Sequence, residues 1–240
     1  MDIKIFDDAE SLSQAAATHF IACAKEAVDR SGRFSAVLTG GSSPKRLYEL
    51  LASDFYQDQV PWKDTHIFFG DERWVLHNDA RNNARMAHEL LLNHVPIPHN
   101  QIVRMSGELA PEVSANQYES ILQEFFKGRK PEFDLVLLGM GDDGHTLSLF
   151  PGTDVLQEKN KWVSSFFLKE QSMYRITLTL PIVNEAKNIL FLVMGSNKAQ
   201  VLKKVIEAGN NPPFPAEYIK PNHGKLIWFV DIEAGKALST

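Results

Sequence analysis

A histidine and two carboxylates crowd into one glycine-rich stretch, Leu137-Leu138-Gly139-Met140-Gly141-Asp142-Asp143-Gly144-His145-Thr146. An imidazole titrates near neutrality, so His145 has the chemistry of a general base acting on water. A neighbouring carboxylate could fix its tautomer or raise its basicity. The stretch follows an apolar run that reads as a buried strand, and sites of open α/β sheets gather at the carboxyl ends of such strands. That placement favours a functional histidine over a structural or merely exposed one.

Four further segments could act on a polar, anionic substrate. In Leu38-Thr39-Gly40-Gly41-Ser42-Ser43-Pro44-Lys45 the glycines let the backbone approach an anion, Ser43 suits a helix cap, and Pro44 suits the first helical position. Exposed amides of this turn, with the helix dipole, would cradle a phosphate. A tight strand-to-helix turn accounts for the same residues equally well, and the spacing matches neither a dinucleotide fingerprint nor a P-loop. Phe69-Gly70-Asp71-Glu72-Arg73-Trp74 sets three charges at a strand exit, able to meet hydroxyls or steady a developing negative charge, or else forming a solvated turn. Arg175, ahead of Ile176-Thr177-Leu178, and Lys198, in Gly195-Ser196-Asn197-Lys198, add cations. Lys198 is expected in the first turn of a helix, where a bound anion would relieve its mismatch with the dipole; alone it reads as a surface charge.

Other chemistries fit poorly. His88, His94 and His99 lack the spacing of a helical ligand pair, and the single cysteine, Cys23, cannot complete a zinc site, so no metal is expected. No Gly-x-Ser-x-Gly elbow is present, which weakens a serine esterase reading. The formal net charge of −5 speaks against a general nucleic-acid binder and leaves a substrate phosphate to local cations and amides. Cys23 lies in an apolar helical pattern and is expected to be a small core residue.

The elements that must position these groups alternate along the chain. Leu12, Ala16, Phe20, Cys23 and Ala27 recur at helical steps, and Ser35 to Thr39 reads as a strand. A second helix carries Leu47, Leu50 and Leu51; His66 to Phe69 follows as a strand and Asn82 to Leu92 as a helix. Tyr118, Ile121, Leu122, Phe125 and Phe126 trace another helical face. Asp134 to Leu138 is nearly all apolar, as in a parallel sheet covered on both faces. Ile176 to Leu180, Ile189 to Met194 and Leu226 to Val230 read as strands, and Val201, Leu202, Val205 and Ile206 as a helix. The expected fold is α/β: a Rossmann-like, doubly wound, mainly parallel sheet flanked by helices, with residues 1–240 as a single catalytic domain. The composition, 44% hydrophobic and 23% charged, is that of a globular chain. The opening MDIKIFDDAE lacks the order of a signal peptide, and no apolar run approaches a membrane span, so a cytoplasmic protein with no membrane contact is expected.

Together these segments resemble the 6-phosphogluconolactonase family, within the wider group that includes glucosamine-6-phosphate deaminase. The anchors are LTGGSSP (38–44), FFGDERW (68–74), LVLLGMGDDGHTLSLFPG (135–152), RITLTLP (175–181) and MGSNKAQVL (194–202), supported by PAEYI and LIWFVD. The long third segment is the most specific. The resemblance implies hydrolysis of 6-phospho-D-glucono-1,5-lactone to 6-phosphogluconate, a step of the oxidative pentose phosphate pathway, with no nucleotide cofactor, metal or obligatory protein partner. It makes His145 the base and Asp143 its loop partner, places Asp71 and Arg73 in the active site, and gives Gly41, Ser42, Arg175 and Lys198 the substrate phosphate. The family often has Thr at Ser43, Ala at Leu147 and Ser-Asn where Arg81-Asn82 stands. Its deaminase members carry a Glu five residues after the loop histidine, and here that position is Phe150, which cannot transfer a proton. That favours the lactonase over the deaminase/isomerase. A non-catalytic sugar-phosphate sensor, the remaining alternative, has no need of His145, and no helix-turn-helix segment is evident.

Overall fold

The computed structural model describes residues 2–207 and 213–239. Strand β1 (Asp2–Phe6) leads into helix α1 (Ala9–Ser31), β2 (Phe34–Leu38), α2 (Lys45–Ala52), β3 (Thr65–Phe69) and a short β4 (Asp71–Arg73). Then come α3 (Asn83–Ala87), β5 (Ile102–Val103), α4 (Pro111–Phe126), β6 (Leu135–Gly139), β7 (Val163–Leu168) and β8 (Met173–Leu178). The chain continues through α5 (Leu180–Val183), β9 (Asn188–Val193), α6 (Ala199–Ile206), β10 (Lys225–Asp231) and α7 (Ile232–Gly235).

Seven strands form a parallel sheet in the order β1-β10-β9-β6-β2-β3-β5. Successive side chains of a strand point to opposite faces, and the strands are apolar on both. Leu135 and Leu137 join the core beneath α1 and α2, while Val136 and Leu138 join the core beneath α4 and α6. Burial on both faces is why these strands read as continuous apolar runs. From β2 the chain winds outward through β3 and β5, then returns to the other side of β2 with β6. The order therefore switches between β2 and β6, and a crevice opens at their carboxyl ends. Among the described residues no helix is long and apolar enough to cross a membrane.

The main sheet agrees with the sequence reading, and several local expectations need correcting. Residues 71–73 are not a solvated turn: they form β4, an edge of a separate three-stranded antiparallel sheet, β4-β8-β7. The strand expected at Ile176 to Leu180 is β8 of that small sheet rather than part of the parallel one. The helix expected over Asn82 to Leu92 is a short α3 followed by a π turn at His88–Leu92. Pro44 precedes α2 rather than starting it, and Ser43 makes no cap. The Pro44 carbonyl accepts the first helical bond from Tyr48 N at 3.0 Å, and the Tyr48 hydroxyl donates to Thr39 O at 2.7 Å, tying helix to strand exit. Cys23 is buried as expected, and burial pushes its thiol up to about 12. The β1 strand was not anticipated, because its alternating Asp2-Ile3-Lys4-Ile5-Phe6 sits at the exposed sheet edge.

Candidate active site

The loops leaving β2, β3, β6 and β9 meet over the switch point and, with β4 and β8, enclose a cleft of about 340 Å³. Gly41, Ser42, Asp71, Arg73, His145, Arg175 and Lys198 all line it. Asp143 stands behind His145 rather than on the wall.

His145 is held from three sides. Asp143 Oδ1 lies 2.5 Å from its Nδ1 and also accepts its backbone N–H at 3.1 Å. Burial works to raise the Asp143 carboxyl, but bonding to His145 outweighs it and holds the group below its ordinary range. An ionised carboxylate only accepts, so Nδ1 is the donor of this pair, and in the neutral ring that leaves the lone pair on Nε2. The imidazole stacks on the Phe150 ring, centroids 4.2 Å apart. Beneath it lies Gly141: a Cβ there would stand 2.0 Å from His145 Nδ1, so only glycine admits the ring. The loop closes on itself through Gly141 N to His145 O, 2.8 Å, and Thr146 Oγ1 to Gly139 O, 2.9 Å. Leu147 adopts a left-handed φ of 54°, uncommon for so bulky a residue, and its side chain packs on Gly70. The large residue at this position thus fills space behind the loop and leaves the reactive groups in place.

The small sheet supplies two of the cations. Arg73 on β4 stands directly opposite Arg175 on β8, and Asp71 opposite Thr177. Residues two apart on a strand share a face, so both guanidiniums and Asp71 look into the cleft. Like charges directly opposite destabilise a sheet unless an anion joins them. Arg175 is only 4% exposed, its Nε has no hydrogen-bond partner, and its Nη2 donates to Gln171. Burial lowers its affinity for the proton, with the nearby Asp71 charge opposing. Asp71 in turn accepts from Ser148 Oγ at 2.6 Å.

Lys198 lies immediately before α6, one residue ahead of the expected first turn, and its Nζ meets Asp142 Oδ1 at 2.5 Å. Gly41, also on the cleft wall, has φ 86°, a backbone that glycine adopts without strain. Asn83, which sequence reasoning missed, also enters the cleft. The Asn82-Asn83 pair ahead of an apolar helix was the available signal: Asn82 caps α3, accepting from Arg85 N at 2.7 Å. Arg81 stays outside, paired with Asp79. Ser148 was likewise missed, although it lies within the most specific segment.

The fold and motifs have known counterparts. The family model described as glucosamine-6-phosphate isomerases/6-phosphogluconolactonase matches residues 7–228. A 6-phosphogluconolactonase of a Nostoc species is 39% identical over 218 residues, 89% of this chain and 88% of the relative. The 6-phosphogluconolactonase of Homo sapiens is 36% identical, over 86% of this chain and 81% of that one. Among solved structures, the 6-phosphogluconolactonase from Trypanosoma cruzi superposes with a TM-score of 0.87 at 27% identity, covering 100% of this chain and 97% of its own. Architecture, site segments and relatives agree: the chain belongs to the glucosamine-6-phosphate isomerase/6-phosphogluconolactonase family.

Proposed function

We propose that this protein hydrolyses 6-phospho-D-glucono-1,5-lactone to 6-phosphogluconate, the lactone-opening step of the oxidative pentose phosphate pathway, with residues 1–240 acting as one catalytic domain in the cytoplasm. The observation that carries the reading is a single cleft holding both a carboxylate-oriented imidazole and a buried, incompletely bonded guanidinium. The first suits activation of water, and the second suits a fixed anion.

The substrate phosphate is received by the Gly41 and Ser42 turn, Arg175 and Lys198. Nε2 of His145 removes a proton from water as the oxygen attacks the lactone carbonyl. Asp143 steadies the imidazolium that forms. Negative charge gathers on the carbonyl oxygen of the tetrahedral intermediate, and Arg73 neutralises it. The Arg73 Nη1 is bonded to Arg81 O and Asn83 Oδ1, so its remaining N–H groups are available to the cleft. As the intermediate collapses, the ring C–O bond breaks and His145 returns its proton to the departing ring oxygen. Phe150 supports hydrolysis over deamination, because a phenyl ring cannot shuttle the protons that ring opening and isomerisation require.

The test is turnover of freshly generated lactone, corrected for spontaneous hydrolysis, by wild type and His145→Ala. Loss of a general base typically costs about 10²- to 10⁴-fold. Wild-type turnover in a folded His145→Ala variant would remove His145 from the mechanism. Efficient ammonia release from glucosamine-6-phosphate by the wild type would replace hydrolase with deaminase.

A further inference from the structure

Asn83 is 3% exposed, yet its side-chain amide touches three separate parts of the cleft. Oδ1 accepts from Arg73 Nη1 at 2.9 Å, while Nδ2 donates to the Asp71 carbonyl at 3.0 Å. The third contact is with the glycine turn after β2: a Cβ at Gly40 would stand 2.0 Å from Asn83 Oδ1, so the amide occupies the space a Gly40 side chain would need. The orientation of the amide is not arbitrary. Turned over, it would aim its NH₂ at a guanidinium and its oxygen at a carbonyl, losing both bonds.

The backbone beneath is fixed as firmly. Glu72 accepts from Asn83 N at 2.7 Å and Ala84 N at 3.0 Å, and Asn82 caps the same helix. Arg73 needs such a hold. Facing Arg175 across the strand pair, it is repelled by a like charge, and its other protein partner is the Arg81 carbonyl on an exposed loop. An arginine so placed and untethered would swing toward solvent, where its charge is better screened.

We propose that Asn83 is a positioning residue of the reaction, seating the Arg73 guanidinium so that its free N–H groups already point to where the oxyanion develops. Donors fixed in advance require no reorganisation as charge appears, which is where their catalytic worth lies. This rests on the assignment of Arg73 to the oxyanion under the proposed lactonase reaction. Asn83 needs no contact with substrate to act in this way, so its loss should register in kcat rather than KM.

A kinetic double-mutant cycle tests it, with kcat and KM measured on the lactone for wild type, Asn83→Ala, Arg73→Ala and the double variant, and folding followed by thermal unfolding. Asn83→Ala should lower kcat roughly tenfold to hundredfold with KM little changed. The double variant should be no slower than Arg73→Ala, because a seat has no function without its occupant. Asn83→Asp, which keeps the length and the acceptor, should recover part of the loss. If Asn83→Ala does not fold, Asn83→Ser takes its place: it keeps a polar group at the helix start but is too short to reach the guanidinium. Losses that multiply in the double variant would overturn the proposal while leaving Arg73 in its role. Wild-type kcat in Arg73→Ala would instead overturn the oxyanion assignment itself.

Discussion

The His145 imidazole lies on the Phe150 ring with centroids 4.2 Å apart and planes 25° from parallel, and the Arg175 guanidinium sits 5.7 Å over the same ring. One phenyl group therefore contacts both the proposed base and the proposed phosphate anchor. It limits rotation of the imidazole and presents a π-face to the imidazolium that forms on proton transfer. A carboxylate at this position would do neither of these things, and would draw Arg175 to itself.

Phe150→Glu should therefore raise KM for the phosphorylated substrate and lower kcat, and it should release no ammonia from glucosamine-6-phosphate. Deamination needs its proton-transfer groups held to within about 0.5 Å by a supporting shell that a single substitution does not build. Phe150→Leu should retain KM and lose several-fold in kcat, because it keeps bulk without the π-face. Steady-state kinetics and a coupled ammonia assay decide both; ammonia release by Phe150→Glu would mean that this residue alone separates the two chemistries.

Gly141→Ala should be nearly as damaging as removing the histidine. The added methyl would stand 2.0 Å from His145 Nδ1 and 2.7 Å from Asp143 Oδ1, so it cannot coexist with their hydrogen bond. The loop is at the rim of the sheet, so thermal stability should fall far less than turnover, which misplacement of a base by about 1 Å can reduce a hundredfold. Unchanged kcat would show that the His145–Asp143 contact is dispensable.

The phosphate assignment predicts unequal losses. Arg175→Ala should weaken binding of 6-phosphogluconate roughly tenfold to hundredfold, the range for a charge-assisted hydrogen bond. Lys198→Ala should cost less, because Lys198 must leave Asp142 to reach an anion. For the same reason Asp142→Asn should tighten binding. Calorimetric titration measures all three, and an Arg175→Ala variant that binds like the parent would refute the anchor.

Much of this candidate site is legible in the sequence, for a physical reason. His145, Asp143, Gly41 and Ser42 sit in loops directly after apolar strands, and a parallel sheet delivers those loops to one edge. Asp71, Arg73 and Arg175 were legible as chemistry but not as structure. Their pairing across β4 and β8 depends on strands about a hundred residues apart, in a sheet whose short, partly polar strands leave little periodicity. Asn83 was harder still, because its importance lies in what its amide touches. The cap expected from Ser43 failed because α2 begins only at Lys45, which puts Pro44 in the capping position and Ser43 one residue outside it.

Glu72 gives the fold a pH dependence of unusual sign. It is 1% exposed, and burial raises its carboxyl from an ordinary 4.5 to about 7, against the opposing pull of the Asn83 and Ala84 amides. Between these two values the folded protein keeps a proton that the unfolded chain has lost. Stability from this residue is therefore fully present below about pH 4.5 and declines as pH rises to about 7. At about 1.4 kcal/mol per pH unit the decline amounts to a few kcal/mol. Urea unfolding of wild type and Glu72→Gln across this window should give a stability difference that shifts toward the variant as pH rises. Glu72 also accepts the amides that begin α3, so ionisation bears on the segment carrying Asn83. A difference that stays constant from pH 4 to pH 8 would mean that Glu72 titrates alike in the folded and unfolded chain, its backbone hydrogen bonds fully offsetting the cost of burial.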